Sequence, residues 1–278
     1  MTTHTINTNK PAGSSPCTPE AHQRADFAGL LEQALNVPGI ANKAYRAFHN
    51  FSIGNQMLAA QQLMERGLGL SPLASFRAWQ DKGRMVKKGQ KAISLYMPVT
   101  IKKAVIDEET GEITEAGFRK FIMRPHWFSL EQTKGEDYSE EIAAPLWNSE
   151  KAMLELNVGE EEFSHLNGNV LGYAKGRTIA VNSMNPLKHK TRFHELAHVV
   201  LGHTNDVEMT DAPELSRNLM EVEAESVAYL LVSILDMPGQ AESRHYIQGW
   251  LDGETLPEPS AKRIFSAADK ILKAGIVN

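Results

Sequence analysis

Apolar residues along this chain fall into two periodicities, and their alternation predicts its elements. Asp26 to Leu35 repeats at helical spacing and stops near Val37-Pro38-Gly39. A second helical run extends from Asn42 to Glu65 through Phe48, Phe51, Met57, Leu58, Leu63 and Met64, and Arg66-Gly67 ends it. Ser71-Pro72 predicts an N-cap followed by proline at the first helical position, opening a helix through Trp79 that stops at Gly83. The pattern then becomes extended, with Val, Ile, Phe and Tyr concentrated in Arg84–Lys88, Ala92–Ile106 and Phe118–Phe128. The acidic segment Asp107–Glu115 reads as the loop of an exposed hairpin. Glu131 to Pro145 is charged and aperiodic, and the linker is placed there, over residues 136–148 in the domain division. Beyond it come a helix over Glu150–Leu156 and a hairpin of Val170–Ala174 and Thr178–Asn182. Three helices follow: one around His194, one from Leu215 to Leu235, and one opened by Ser260. The predicted class is α+β in two domains. Residues 23–135 form helices with a small antiparallel sheet, and residues 149–278 form a mostly helical domain with a short hairpin.

Charge sharpens this division. The net charge is −5, but residues 1–135 carry +6 and residues 136–278 carry −11. A polyanion therefore meets the first half more readily than the second. Residues 1–22 are rich in Thr, Asn, Pro and Ser and read as a disordered tail. The single cysteine, Cys17, lies in that tail, so no internal disulfide forms, which fits a reducing cytoplasm. The longest apolar run, Val227 to Leu235, is too short to span a bilayer, so no membrane partner is expected.

The sharpest chemical signal is His194-Glu195-Leu196-Ala197-His198. Two imidazoles four apart share a helix face and can close on one metal ion, expected to be Zn2+ or another divalent cation. Glu195 is then placed to take a proton from a water molecule. A tetrahedral site needs a third protein ligand. A histidine six residues after His198 would supply it in one class of enzyme, but that position is Thr204. His203 is one residue early and follows Gly202, where the helix is expected to end. His203 remains a second, less favoured source, and the third is the segment Leu219–Tyr229, in which Glu221 and Glu225 share a face. Glu221 is assigned as ligand and Glu225 as the group accepting a hydrogen bond from a ligand histidine, with the reverse assignment left open. Glu223 is expected to point away into solvent. Tyr173, His203 and Arg177 are the candidates for stabilising an oxyanion.

Residues 76–91 carry six Lys/Arg against Asp81, with Phe76 and Trp79 among them. Arg77, Arg84, Lys87, Lys88 and Lys91 could follow phosphates, and Trp79 could stack on an unpaired base. Phe76 and Trp79, three apart, fit a buried helix face better than a stacking platform.

The N-terminal half resembles the ArdC-like antirestriction proteins of mobile elements. The resemblance rests on Asn50-Phe51-Ser52, Asn55-Gln56-Met57-Leu58, Phe76-x-x-Trp79 and Gly83-Arg84-x-Val86-Lys87-Lys88-Gly89-Gln90-Lys91-Ala92-Ile93. The C-terminal half is similar to that family's zincin-type metallopeptidase domain through His194–His198 and Glu221–Glu225. The resemblance implies an N-terminal domain that binds single-stranded DNA, with Asn55 among its contacts, and a zinc peptidase acting on an unknown protein or peptide. It also implies protection of DNA entering a bacterial cytoplasm during conjugation. The segment Val199-Val200-Leu201-Gly202-His203 departs from the family's shorter histidine spacing. A regulatory protease that cleaves a repressor, or a DNA-binding protein with a structural metal, are the other readings of the same residues.

Overall fold

The computed structural model describes residues 24–106, 113–140, 142–164, 170–204, 216–251 and 256–277. The expected disordered tail and residues 107–112 of the expected hairpin loop lie outside the described residues, whereas Ile113–Glu115 belong to a strand.

Three helices come first, α1 (Phe27–Asn36), α2 (Ile40–Phe48) and α3 (Ile53–Glu65). The single long helix expected over Asn42–Glu65 is therefore two. Phe51 N–H closes a turn on the Phe48 carbonyl, and Ser52, in extended conformation, starts α3. The apolar pattern runs through the break because both helices bury their apolar sides in one core. Next come β1 (Leu73–Ser75) and α4 (Phe76–Asp81). The helix begins later than Ser71-Pro72 suggests because the capping side chain is Ser75, which accepts from the Ala78 N–H.

β2 (Arg84–Val86) and the long antiparallel hairpin of β3 (Ile93–Ile106) and β4 (Ile113–Ser129) follow. β1, β4 and β3 form one sheet in that order. β5 (Thr133–Gly135) pairs with β2, so the start of the expected linker belongs to the first domain's sheet structure. The second half contains β6 (Leu146–Trp147), α5 (Ser149–Leu156), β7 (Gly159–Glu160), β8 (Gly172–Lys175) and β9 (Thr178–Val181). It continues with α6 (Lys188–Leu201), α7 (Arg217–Ile234), α8 (Gln240–Leu251), α9 (Glu258–Gly275) and β10 (Ile276–Val277). β10 pairs with β6, and β8, β9 and β7 form a sheet with β9 in the middle. The segment of α8 carries too little apolar periodicity to be read as a helix from sequence.

The apolar core runs across both halves of the chain. One buried cluster joins Leu30, Phe48 and Met57 of the first helices to Tyr229, Leu231 and Ile264 of α7 and α9. α7 is enclosed along most of its length, with every residue from Val222 to Ile234 buried. A helix apolar on all sides must lie inside a packed layer, and α6, α8, α9 and α2 cover it here. Among the described residues no helix is long and apolar enough to cross a membrane.

Candidate metal centre and nucleic-acid surface

α6 carries both histidines because its buried side, with Phe193, Leu196, Ala197 and Val199, locks its rotation against α7 and α9. That rotation turns His194 and His198 toward α7. Their Nε2 atoms face each other at 3.1 Å. Glu221 Oε2 lies 3.4 Å from His194 Nε2 and 3.8 Å from His198 Nε2. These three donor atoms lie within 4.8 Å of one another, close enough for one cation to replace the contacts among them. The donor set, two imidazoles and a carboxylate, suits zinc and leaves a position open.

The flanking groups set the ionisation of the site. His194 Nδ1 lies 2.9 Å from Glu225 Oε2, and Glu225 Oε1 is 2.6 Å from Lys190 Nζ. Burial opposes the charged form of His194, but its hydrogen bonds to Glu221 and Glu225 outweigh this and raise its pKa to about 9. Glu221 is held well below the usual carboxylate range by hydrogen bonds from His194 and His198. Burial pushes Glu225 upward, yet His194 and Lys190 bring it down to about 2. Glu195 is 7% exposed, and burial, reinforced by Glu221 and Glu225, raises it to about 7 against the pull of His194.

These sites open into a cleft of about 1200 Å³ walled by β8, α6 and α7. β8 is an edge strand of its sheet, and Gly172 sits directly over the catalytic candidate. A Cβ at Gly172 would meet Glu195 Oε1 at 3.0 Å, the Ala180 carbonyl at 2.9 Å and Thr191 Cγ2 at 2.7 Å. Only glycine lets the strand approach Glu195 this closely.

The remaining candidates separate clearly. Tyr173 lines the cleft and donates its hydroxyl to Glu161 Oε1 at 2.8 Å. Arg177 is turned away, donating to the carbonyls of Leu156 and Asn157. His203 lies behind His198, with Nδ1 atoms 3.0 Å apart, and burial holds it below the ordinary imidazole value. Gly202, left-handed at φ 80°, ends α6 and returns the chain so that His203 N–H bonds the His198 carbonyl. The expectation of a solvated Glu223 is wrong. It is 0% exposed, with Oε2 2.9 Å from His203 Nε2 and 3.4 Å from Arg263 Nη2. Sequence reasoning also missed Lys190 and Arg263. Lys190 sits one turn before His194 on the same face, and that spacing is the signal that could have found it.

Three of the expected nucleic-acid residues have internal roles. Trp79 is 1% exposed and its indole N–H donates to the Phe128 carbonyl, so its ring cannot stack on a base. Arg84 donates to Thr133 Oγ1 and the Glu136 carbonyl across the β2–β5 pair. Asn55 accepts from the Tyr96 N–H and donates to the Tyr96 carbonyl, capping the free edge of β3. Arg77, Lys87, Lys88 and Lys91 are exposed, with Lys87 Nζ also donating to the Glu131 carbonyl. Among the described residues, exposed aromatics next to cations include Phe76, beside Arg77, and Phe121, beside Lys120.

Residues 33–141 match the family described as the N-terminal domain of anti-restriction factor ArdC. Across 89% of this chain and 94% of the other, the fold is similar to the metal-free crystal structure of antirestriction ArdC protein from R388 plasmid, with TM-score 0.50 and 19% identity. Residues 33–141 therefore carry an ArdC-type N-terminal domain, and the fold as a whole is similar to that of an ArdC protein. The Mn(II)-bound crystal structure of that R388 protein has TM-score 0.47 at 19% identity, with the same 89% and 94% coverage. No curated protein matches the sequence. The family match ends before the metal centre, so the chemistry of that centre rests on its own geometry.

Proposed function

We propose that the protein is a single-stranded-DNA-binding antirestriction protein whose second half is a metal-dependent peptidase. The observation that carries the catalytic half is the convergence of His194, His198 and Glu221 beside Glu195, beneath the edge strand β8. A divalent cation, zinc by the character of its donors, would when bound polarise a carbonyl and acidify water. The protein's own groups do the rest. β8 offers the backbone groups of Gly172–Lys175 to an extended peptide, which pairs as an added strand. Glu195, poised near neutrality, takes the proton from the attacking water and delivers it to the leaving amine. Tyr173, on the cleft wall, would donate to the developing oxyanion only by turning its hydroxyl from Glu161. The test is zinc-dependent cleavage of an unstructured polypeptide. It should disappear in His194→Ala and with a chelator, and a zinc-loaded native chain that cleaves nothing would sink the peptidase half.

Binding of a metal must displace the proton that His194 holds in the metal-free protein. Its pKa of about 9 lies above neutral pH, so proton competition weakens metal binding below that value. Apparent zinc affinity should therefore rise by about tenfold per pH unit between pH 7 and 9, and calorimetry in buffers of different ionisation enthalpy should detect the released proton. A flat affinity over that range would contradict this account.

The DNA half rests on the exposed cations Arg77, Lys87, Lys88 and Lys91, on Phe76 beside them, and on the ArdC domain match over the same residues. Cations at this density follow a phosphate backbone, and an exposed ring can stack on an unpaired base. Replacing Lys87 and Lys88 together by Glu should weaken binding to an oligonucleotide. The slope of log affinity against log salt should also shrink by roughly 1.4, the loss of two phosphate contacts on a single strand. An unchanged salt slope would move the interface elsewhere.

A further inference from the structure

We propose that His203 and Glu223 form a positioning relay for His198, with Arg263 as its counter-charge, and that this relay sets the affinity of the metal centre. The inference rests on the metal reading above. A histidine that presents Nε2 to a cation carries its proton on Nδ1 and needs an acceptor there. His194 has one directly, Glu225 Oε2 at 2.9 Å. His198 has instead another imidazole, His203 Nδ1, at 3.0 Å. That atom can accept only if His203 carries its own proton on Nε2. His203 Nε2 lies 2.9 Å from Glu223 Oε2, which accepts it. In the metal-bound form the protons would run in series, His198 Nδ1–H to His203 Nδ1 and His203 Nε2–H to Glu223 Oε2, with Arg263 Nη2 3.5 Å from His203 Nε2.

Charge completes the pattern. Each ligand histidine is backed by a carboxylate, Glu225 directly and Glu223 through one ring. Each carboxylate has a basic side chain on its far side, Lys190 and Arg263 respectively. Arg263 is held in place by donating to the Leu201 carbonyl at the end of α6. Glu223 is an expensive residue to keep for stability alone. It is 0% exposed, and its Oε1 has no hydrogen-bond partner among the described residues. A carboxylate kept under those conditions is explained by what it orients. The departure of this chain from the shorter histidine spacing then has a purpose. The five-residue interval from His198, turned back by Gly202, brings the His203 ring beside a ligand rather than onto the cation.

The experiment is zinc affinity by chelator competition on the full chain, with ring tautomers read by long-range 1H–15N spectra. In the native zinc form, His203 should be the Nε2–H tautomer and His198 the Nδ1–H tautomer. His203→Phe, which removes the acceptor, should weaken zinc on the order of 10- to 100-fold. Glu223→Gln keeps an acceptor for His203 but removes the charge, so it should fall between that variant and the native chain. It also serves as the test if His203→Phe does not fold. Affinity within twofold of native in Glu223→Gln and in any folded His203→Phe, or a His203 protonated on Nδ1, would overturn the relay. A native chain that takes up no zinc would instead overturn the metal reading beneath it.

Discussion

Glu195→Gln is expected to bind zinc much as the native chain does and to lose peptide hydrolysis by a factor on the order of 10²–10⁴. Glu195 lies outside the three donor atoms that converge, so an isosteric amide leaves them in place. Removing its negative charge weakens attraction for a cation. The same charge helps hold the competing proton on His194, so its loss also makes that histidine easier to deprotonate, and the two effects oppose each other. What the amide cannot do is accept a proton from water. The substitution also has a signature in the metal-free protein. The folded pKa of Glu195, about 7, lies above the ordinary carboxylate value of 4.5, so its stabilisation is full below pH 4.5 and is lost as pH rises through 7. His194 is raised from 6.5 to about 9, so its contribution is full below 6.5 and lost as pH rises through 9. Native metal-free protein should thus lose stability in steps between pH 5 and 9, and Glu195→Gln should lack the lower step. Thermal unfolding across that range checks the sign, and peptide hydrolysis at the native rate would remove Glu195 from the mechanism.

The sequence made this site legible to the extent that one helix's geometry decides it. His194, Glu195 and His198 stand on one face by spacing alone, and Glu221 and Glu225 repeat the same interval, so their meeting needed only the packing of α6 on α7. Glu223 escaped because an offset of two residues points to the other side of a helix, and that side is solvent only when the helix lies at the surface. α7 has no such side from Val222 onward. His203 escaped for a related reason, since its place depends on the backbone reversal at Gly202 rather than on helical phase. In the first half, residue type was visible but its use was not. Trp79 and Arg84 lie in the basic segment and Asn55 in α3, yet each is taken by a backbone carbonyl or side chain that only the folded sheet supplies. The charge asymmetry reports surfaces, while the core that runs across both halves is written in apolar positions far apart in sequence.

Phe193→Ala should cost the fold about 3–5 kcal/mol, the typical loss for truncating a buried aromatic. Phe193 is 0% exposed and precedes the first histidine, so its packing sets the rotation that aims His194. Its principal aromatic partner is Trp147, edge-on at a centroid distance of 4.7 Å. Trp147 is itself held by a hydrogen bond to the Ile271 carbonyl and by close contact with Gly275 at the end of α9, where any Cβ would fall within the indole. The cavity left by Phe193 cannot close easily, because Trp147 is fixed by α9 and by the β6–β10 pair on either side of it. Part of the loss should therefore appear as residual cavity rather than as repacking. Urea unfolding of the metal-free protein measures it as a lower midpoint at unchanged slope. Because α6 and the first three helices share one core, a single transition should shift as a whole, with Trp fluorescence and far-ultraviolet dichroism reporting the same midpoint. Two separated transitions would show that the halves unfold independently despite their common core. A loss below about 1 kcal/mol would show that Phe193 does not anchor the helix that carries the site.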